Sequence, residues 1–353
     1  MKAIHIQEFV KDFDEIGSIL RLETNVDLKM PLKKGQMLIK VLACGLSPAD
    51  IHMLEGKFFL MKPEKFPFVP CMDVCGVVED PNGSKIFQKG DVVVADNGMS
   101  PQGGLAEFMV IPESQAALKP KSVTITQAAA SASAITARNA VLDYCANIPN
   151  PRILILGGSG GVGTATIQLA KSKAKASFVA TTSTQSDLCL SLGANRVIDY
   201  RKENWWEIQE FRDHKFDVII DTVGGGNYVD KAKEVLKGRA QNGRFLAVTG
   251  DEPKPDASTL WKTIKFLCGF LMARPLYNCT IGRKLPIYTV LLPYEEVKGR
   301  KDVLEFLQDG SLKIVLDGKN PLPFTQEGVC KAFQKVASGH AHGKVVVSIS
   351  GSM

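Results

Sequence analysis

The stretch Arg152–Lys171, R-I-L-I-L-G-G-S-G-G-V-G-T-A-T-I-Q-L-A-K, constrains this chain more than any other. Ile153 to Gly157 form a short apolar run that suits a strand buried on both faces. A glycine cluster follows at Gly157, Gly158, Gly160, Gly161 and Gly163, and then Val162, Ile167, Leu169 and Ala170 recur at helical spacing. The order is strand, glycine turn, helix. Within it Gly158, Gly160 and Gly163 satisfy G-x-G-x-x-G, a spacing that permits a tight turn and brings backbone close to a pyrophosphate. The helix start supplies free N–H groups and the positive end of a dipole to that phosphate. The motif alone would also suit a glycine turn with no ligand; the strand before it and the helix after it favour the dinucleotide site.

The rhythm on either side differs. Residues 1 to about 121 read as short strands punctuated by Gly and Pro: the N-terminal segment, Met37–Ala43, Val74–Glu79, Val92–Val94 and Ala106–Ile111, the pattern of a small barrel. From Ile125 helices appear at 126–130 and Ser133–Tyr144. Past the glycine turn, strands at Ser177–Thr182, Arg196–Tyr200, Phe216–Asp221 and 243–249 alternate with helices at Gln185–Leu192, Trp205–Arg212 and Tyr228–Lys237, which predicts a parallel sheet covered on both faces. An apolar helix at 260–272 follows an irregular stretch; it suits a core or subunit contact better than a membrane surface, since it lacks a basic polar face. Helices at 302–307 and 324–336 and a strand at Lys344–Ile349 return to the style of the first part.

With 353 residues the chain can hold two domains, and its 45% apolar and 23% charged content is that of a globular protein. A net charge of +6 carried by scattered lysines is too mild to argue for nucleic acid, and suits a phosphorylated cofactor. The eight cysteines form no C-x-x-C pair and read as reduced thiols. The N-terminus reads as a strand rather than a signal peptide, and the apolar stretch near Phe266–Ala273 is too short to span a bilayer.

Ten short segments, in order, resemble the medium-chain dehydrogenase/reductase superfamily, and within it the zinc-independent quinone oxidoreductase (zeta-crystallin-like) branch. They are A-C-G-L-S-P-A-D (43–50), P-C-M-D-V-C-G-V-V-E (70–79), K-G-D-V-V (89–93), G-G-L-A-E-F (103–108), A-A-A (128–130), I-L-G-G-S-G-G-V-G (155–163), L-G-A (192–194), V-I-D-Y (197–200), D-T-V-G-G (221–225) and G-H-A-H-G-K-V-V (339–346). The resemblance covers nearly the whole chain. It implies an α/β protein in which a GroES-like β-barrel domain carries a Rossmann doubly wound parallel-sheet domain. The expected divisions are residues 1–124 (barrel), 125–286 (cofactor domain) and 287–353 (return to the barrel).

Alcohol dehydrogenases of that superfamily bind catalytic zinc through a Cys and through the His of a G-H-E motif; here Ser47 and Met72 stand in those places. Neither is a usual zinc ligand, and Asp73 alone does not hold a metal, so no metal is expected. The residues 96–107 also lack the four cysteines of a structural zinc lobe. Without a Lewis acid, reduction of a conjugated acceptor is easier than oxidation of an alcohol.

After the second cofactor-domain strand the chain reads T-T-S-T-Q-S, with no acid before Asp187 to take ribose hydroxyls, which favours NADPH over NADH. Ser183 and Thr184 can donate to a 2′-phosphate, although Gln185 and Ser186 stand where a Lys or Arg is often found. The resemblance further implies that Tyr200 closes on that phosphate and that Ser159, Gly160, Gly161 and Val162 meet the pyrophosphate. It places Gly224 and Thr249 at the nicotinamide, with His340, Ala341 and His342 on a loop touching the cofactor. A solvated turn is an equal reading for the two histidines.

It places the substrate beside the nicotinamide, between the domains, with Ser47 and His52 on one wall. His52 is a candidate hydrogen-bond donor to a quinone or enone oxygen, or else a histidine satisfied within the fold; Asp50 is expected to brace the loop, and Trp205 and Trp206 to pack. The expected partner is a small quinone or enone. A homodimer is expected, with no nucleic acid and no transmembrane segment, in the cytoplasm. A 2-enoyl-thioester reductase is the rival activity. A non-enzymatic binding protein on the same fold, for RNA or a membrane surface, is the rival class.

Overall fold

The computed structural model describes residues 1–28, 30–57, 63, 65–96, 103–225, 227–248, 258–267, 286–291, 296–318 and 321–350. The chain divides into two compact units, one of Met1–Ala132, Glu295–Gly310 and Ile314–Met353, the other of Ser133–Tyr294 with Ser311–Lys313.

The first unit opens with an antiparallel pair, β1 (Ala3–Ile6) and β2 (Leu20–Glu23). There follow β3 (Gln36–Leu46), α1 (Pro48–Leu54), β4 (Asp73–Asp80), β5 (Val92–Ala95), β6 (Phe108–Pro112), β7 (Ala116–Leu118) and α2 (Ile125–Ala129). Thr124 starts α2, its hydroxyl oxygen accepting from the Gln127 N–H at 3.2 Å, a common way of satisfying a first-turn donor.

The second unit begins in α3 (Ala132–Tyr144) and alternates strictly. It runs β8 (Arg152–Leu156), α4 (Gly161–Ser172), β9 (Phe178–Thr182), α5 (Ser186–Ser191), β10 (Arg196–Ile198), α6 (Gln209–Asp213), β11 (Val218–Asp221), α7 (Tyr228–Ala232), β12 (Arg244–Ala247), α8 (Leu260–Leu267) and β13 (Ile287–Val290). All five strand pairings are parallel, in the order β10-β9-β8-β11-β12-β13. That is the doubly wound arrangement, whose strand order reverses between β8 and β11, and such sheets bind ligands at the carboxyl ends of the strands there. Phe211, Phe216, Ile219 and Phe245 fill the core of this unit.

The chain then returns. It forms α9 (Glu296–Gln308), β14 (Leu322–Pro323), α10 (Gln326–Ala337) and β15 (Val345–Ser348). β15 lies antiparallel to β3, completing a seven-stranded sheet in the order β14-β15-β3-β4-β5-β7, with β6 also on β3. Val329 and Phe333 of α10 are buried with Ile4, Met37, Ile39 and Leu46 in one core, so residues far apart in sequence share it. The Arg300 guanidinium of α9 binds the Asp96 carboxylate and the Gln115 carbonyl, tying the return segment to the N-terminal strands.

Four local readings change. The helix expected over Tyr228–Lys237 stops at Ala232. The strand expected over 196–200 stops at Ile198, because the Asp199 side chain takes the Arg201 N–H and guanidinium and bends the chain. The helix expected from Trp205 begins at Gln209; Trp205 and Trp206 sit in the preceding turn, where Asn204 bonds Glu207, and their rings meet edge to face at 5.2 Å. Of the apolar helix expected over 260–272, residues 260–267 are helical and the rest lie outside the described residues.

Candidate active site

The glycine turn joins β8 to α4 as its spacing predicts. Its three motif glycines have different surroundings. A Cβ on Gly158 would fall 2.0 Å from Thr181 Oγ1, and one on Gly163 would fall 2.1 Å from the Gly157 carbonyl oxygen. Both hold the turn and the helix start hard against their neighbours. A Cβ on Gly160 would meet nothing closer than 3.6 Å, so this glycine, the N-cap of α4, has open space on its side-chain face. A turn that is tight at its first and third glycines and open at its second fits a backbone that a pyrophosphate approaches. No side chain caps α4, and its first turn, Gly161, Val162 and Gly163, presents N–H groups that a helix leaves without intrahelical partners. With half-buried Ser159 they make an anion-receiving start at the carboxyl end of β8.

The neighbouring strand ends carry the other candidates. Gly158 N–H donates to the Thr182 carbonyl, fastening the turn to the end of β9. Ser183 is only 3% exposed; its oxygen accepts from Gln185 N–H at 2.9 Å. Burial pushes the Cys189 thiol up, and a hydrogen bond from the Ser183 hydroxyl opposes it, so that hydroxyl faces inward. Thr184 is half-buried, while Tyr200, beyond β10, is 55% exposed. At the end of β11, Asp221 Oδ1 accepts from the N–H groups of Val223 and Gly224, both at 2.9 Å, and fixes the loop. Gly224 has φ +77°, which its lack of a side chain permits. Thr249 lies outside the described residues.

In the first unit Ser47 precedes α1, and its N–H and hydroxyl both donate to Asp50 Oδ2, at 2.7 and 3.0 Å. Asp50 Oδ1 accepts from the Met72 N–H at 3.2 Å, so this fully buried carboxylate fastens the Ser47 loop to the start of β4. His52 is half-buried, with Nδ1 3.3 Å from Glu55 Oε2, and Glu55 also binds Lys57 at 2.8 Å. Two further charges join Asp50. Gly45 pairs with Asp73 across β3 and β4, and Leu46 pairs with Val345 across β3 and β15, so Asp73, Ser47 and Lys344 stand at one end of three adjacent strands. Lys344 is buried, and among the described residues its Nζ has no hydrogen-bond partner. Burial pushes the Asp73 carboxyl up to about 7; Lys344 opposes this and Asp50 adds to it. Burial likewise raises Asp50, against its bonds to Ser47 and Met72.

Sequence reading singled out Ser47 and His52 but missed the Asp50–Asp73–Lys344 group. A visible signal was there, since Asp73 and Lys344 each open an apolar strand that leaves a charge no easy route to water. The loop between α10 and β15 belongs to this unit. In it His340 is exposed, its Nδ1 2.6 Å from the Ser338 carbonyl, Ala341 packs on the core, and His342 N–H donates to Asp317 at 2.8 Å. Among the described residues no three His, Cys, Asp or Glu side chains are grouped to hold a metal.

Comparison with known proteins agrees with this architecture. Residues 33–121 match the family described as "Alcohol dehydrogenase GroES-like domain", and residues 192–347 the family described as "Zinc-binding dehydrogenase". The chain is 34% identical over 347 residues to a 2-methylene-furan-3-one reductase of Solanum lycopersicum, covering 95% of this chain and 77% of that one. It is also 34% identical over 338 residues to a chloroplastic NADPH-dependent alkenal/one oxidoreductase of Arabidopsis thaliana, covering 93% and 76%. In fold it superposes on the NADPH complex of Escherichia coli quinone oxidoreductase with a TM-score of 0.74 at 19% identity, covering 99% of this chain and 100% of that one. A GroES-like β domain joined to a Rossmann sheet, the ordered motifs and these relatives place the chain in the medium-chain dehydrogenase/reductase superfamily, among its quinone and alkenal oxidoreductases.

Proposed function

We propose that this protein is an NADPH-dependent oxidoreductase that reduces quinones or α,β-unsaturated carbonyl compounds without zinc. The observation that carries the reading is the glycine turn, packed tight at Gly158 and Gly163 and open at Gly160, at the carboxyl end of β8. The names of the relatives support the reductase activity, and the second of them names NADPH.

NADPH, when bound, supplies a hydride; the protein binds and orients it and positions the acceptor. Ser159, Gly160, Gly161 and Val162 receive the pyrophosphate at the start of α4. The acid-free end of β9, with Thr184, and exposed Tyr200 leave room for a 2′-phosphate. Gly224, and Thr249 beyond β12, serve the nicotinamide end, and His340, Ala341 and His342 are the further cofactor contacts that the family resemblance implies. Ser47 and His52 meet the substrate oxygen. The Ser47 hydroxyl donates a hydrogen bond to Asp50 Oδ2, which fixes its side chain, and the imidazole of His52 is the candidate donor to a developing oxyanion. Ser47 and Met72 at the ligand places support independence from zinc, since an alcohol hydroxyl bonded to Asp50 and a thioether are poor ligands.

The free thiols at Cys44, Cys71, Cys75, Cys145, Cys189 and Cys330 suit a reducing compartment such as the cytoplasm. No helix among the described residues is long and apolar enough to cross a membrane. Among the described residues β13 has a strand partner on one side alone, an arrangement that suits pairing with a second copy and supports the homodimer reading.

NADPH oxidation followed against quinones, alkenals and enoyl thioesters side by side tests the activity. Turnover with the first two classes, undiminished by a chelator, is expected. Turnover confined to enoyl thioesters would transfer the assignment to the rival reductase, and nucleotide binding without turnover of any class would favour the binding-protein reading.

A further inference from the structure

The end of β9 has no cation to read a 2′-phosphate. Residues 182–186 are Thr, Ser, Thr, Gln and Ser, and the Ser183 side chain is buried, its oxygen accepting from the Gln185 N–H. The next strand supplies what is missing. β10 runs parallel to β9 with Ile198 opposite Thr182, and Ser183 N–H donates to the Ile198 carbonyl at 2.9 Å. Residues just past Ile198 therefore stand beside Ser183 and Thr184. They are Asp199, Tyr200, Arg201 and Lys202.

Arg201 is built in rather than loose. Asp199 Oδ1 accepts from the Arg201 N–H at 3.1 Å and from Nε at 3.0 Å, while Oδ2 accepts from Nη2 at 3.0 Å. Two parallel bonds fix the guanidinium plane, yet they use only two of its five N–H donors. The side chain stays 62% exposed. Lys202 Nζ lies 3.7 Å from the same carboxylate, so two cations share the Asp199 anion, while Glu203 turns to Arg196 at 3.5 Å. A phosphomonoester carrying about −1.5 to −2 charges has acceptor oxygens spaced for a guanidinium fork.

We propose that Arg201, held in place by Asp199, is the residue that distinguishes NADPH from NADH, by binding the 2′-phosphate of the adenosine ribose. The assignment rests on the NADPH reading above and names the group that gives it its selectivity. Asp199 acts through Arg201 as a positioning residue.

Binding of NADPH, NADH, 2′,5′-ADP and 5′-ADP to the full chain, measured by calorimetry for the parent, Arg201→Gln, Asp199→Asn and Lys202→Gln, decides the matter. Arg201 and Lys202 are exposed and Asp199 is half-buried, and circular dichroism checks that each variant is folded. Arg201→Gln is expected to weaken NADPH and 2′,5′-ADP by roughly tenfold to a hundredfold, as loss of charge-assisted bonds does, and to leave NADH and 5′-ADP within about twofold. Asp199→Asn should cost NADPH less than Arg201→Gln does, and Lys202→Gln less again. If Arg201→Gln keeps the parent's preference for NADPH, or weakens all four ligands alike, Arg201 is an ordinary surface ion pair and the proposal fails. A parent that binds NADPH and NADH equally would instead sink the NADPH reading itself, before any variant is compared.

Discussion

Gly160 and Gly163 stand three residues apart in one motif, yet their surroundings give them different consequences. Gly163→Ala drives a Cβ to 2.1 Å from the Gly157 carbonyl oxygen, backbone against backbone, where no side chain can swing away. The strain should lower stability by about 1–3 kcal/mol and displace the turn, so both the urea midpoint and NADPH affinity fall. Gly160→Ala meets nothing closer than 3.6 Å and has φ −76°, which alanine adopts freely. It should leave the urea midpoint near the parent's and weaken NADPH alone, by filling the space a phosphate needs. Equal effects of the two substitutions on folding would mean that the open side of Gly160 is not a ligand face. The spacing of these glycines was legible in the sequence because strand, turn and helix are consecutive. Their different duties were not, since Thr181, which crowds Gly158, arrives only with the pairing of β9 to β8.

Elements differ in the same way. β8, α4 and β9 were legible because their apolar periodicity is local and their ends are marked by glycine or a change of period. β7, β13 and β14 escaped notice; at three, four and two residues they carry too little pattern of their own and exist through their partners. α1 escaped because it is short, although Ser47-Pro48 followed by Asp50 is a recognisable start. Helix α10 joins the return segment to the first core and is capped by Thr325, whose hydroxyl accepts from the Gly328 N–H at 3.0 Å. Thr325→Ala should cost about 1 kcal/mol, seen as a lower urea midpoint, and Thr325→Ser should recover most of it. Because Val329 and Phe333 of this helix are buried with β1 and β3, the loss should register in the first unit's unfolding. No loss in the alanine variant would mean that solvent replaces the cap.

At the scale of the molecule, the Asp50–Asp73–Lys344 group couples ionisation to folding. Four charges act on Asp73: Lys344 on β15's approach, Asp50 in α1, Arg300 in α9 and Asp96 after β5. Its folded value is raised to about 7 from an ordinary 3.8, so the folded chain holds this proton more tightly than the unfolded chain does. The stability this gives is complete below the unfolded value and disappears as pH rises through the folded one. Relative to Asp73→Asn, which does not titrate, the parent should lose stability between about pH 4 and about pH 7 and then hold level. Urea midpoints of both proteins across that range check it; a constant difference would show that Asp73 stays ionised throughout. None of this was legible in the linear sequence, where Asp73 and Lys344 are hundreds of residues apart.

That separation also bears on how the chain is made. β3 is completed early in synthesis, and one of its edges is shared between β6, along Gln36–Lys40, and β15, along Ala43–Leu46. β6 follows soon after, but β15 is made only after the last strand of the parallel sheet. Throughout translation of the entire parallel sheet, half of that edge has no native partner, and unpaired strand edges recruit other chains. A chain cut short between Val290 and Val345 would therefore hold its cofactor sheet in full while the Ala43–Leu46 edge of β3 stayed unpaired.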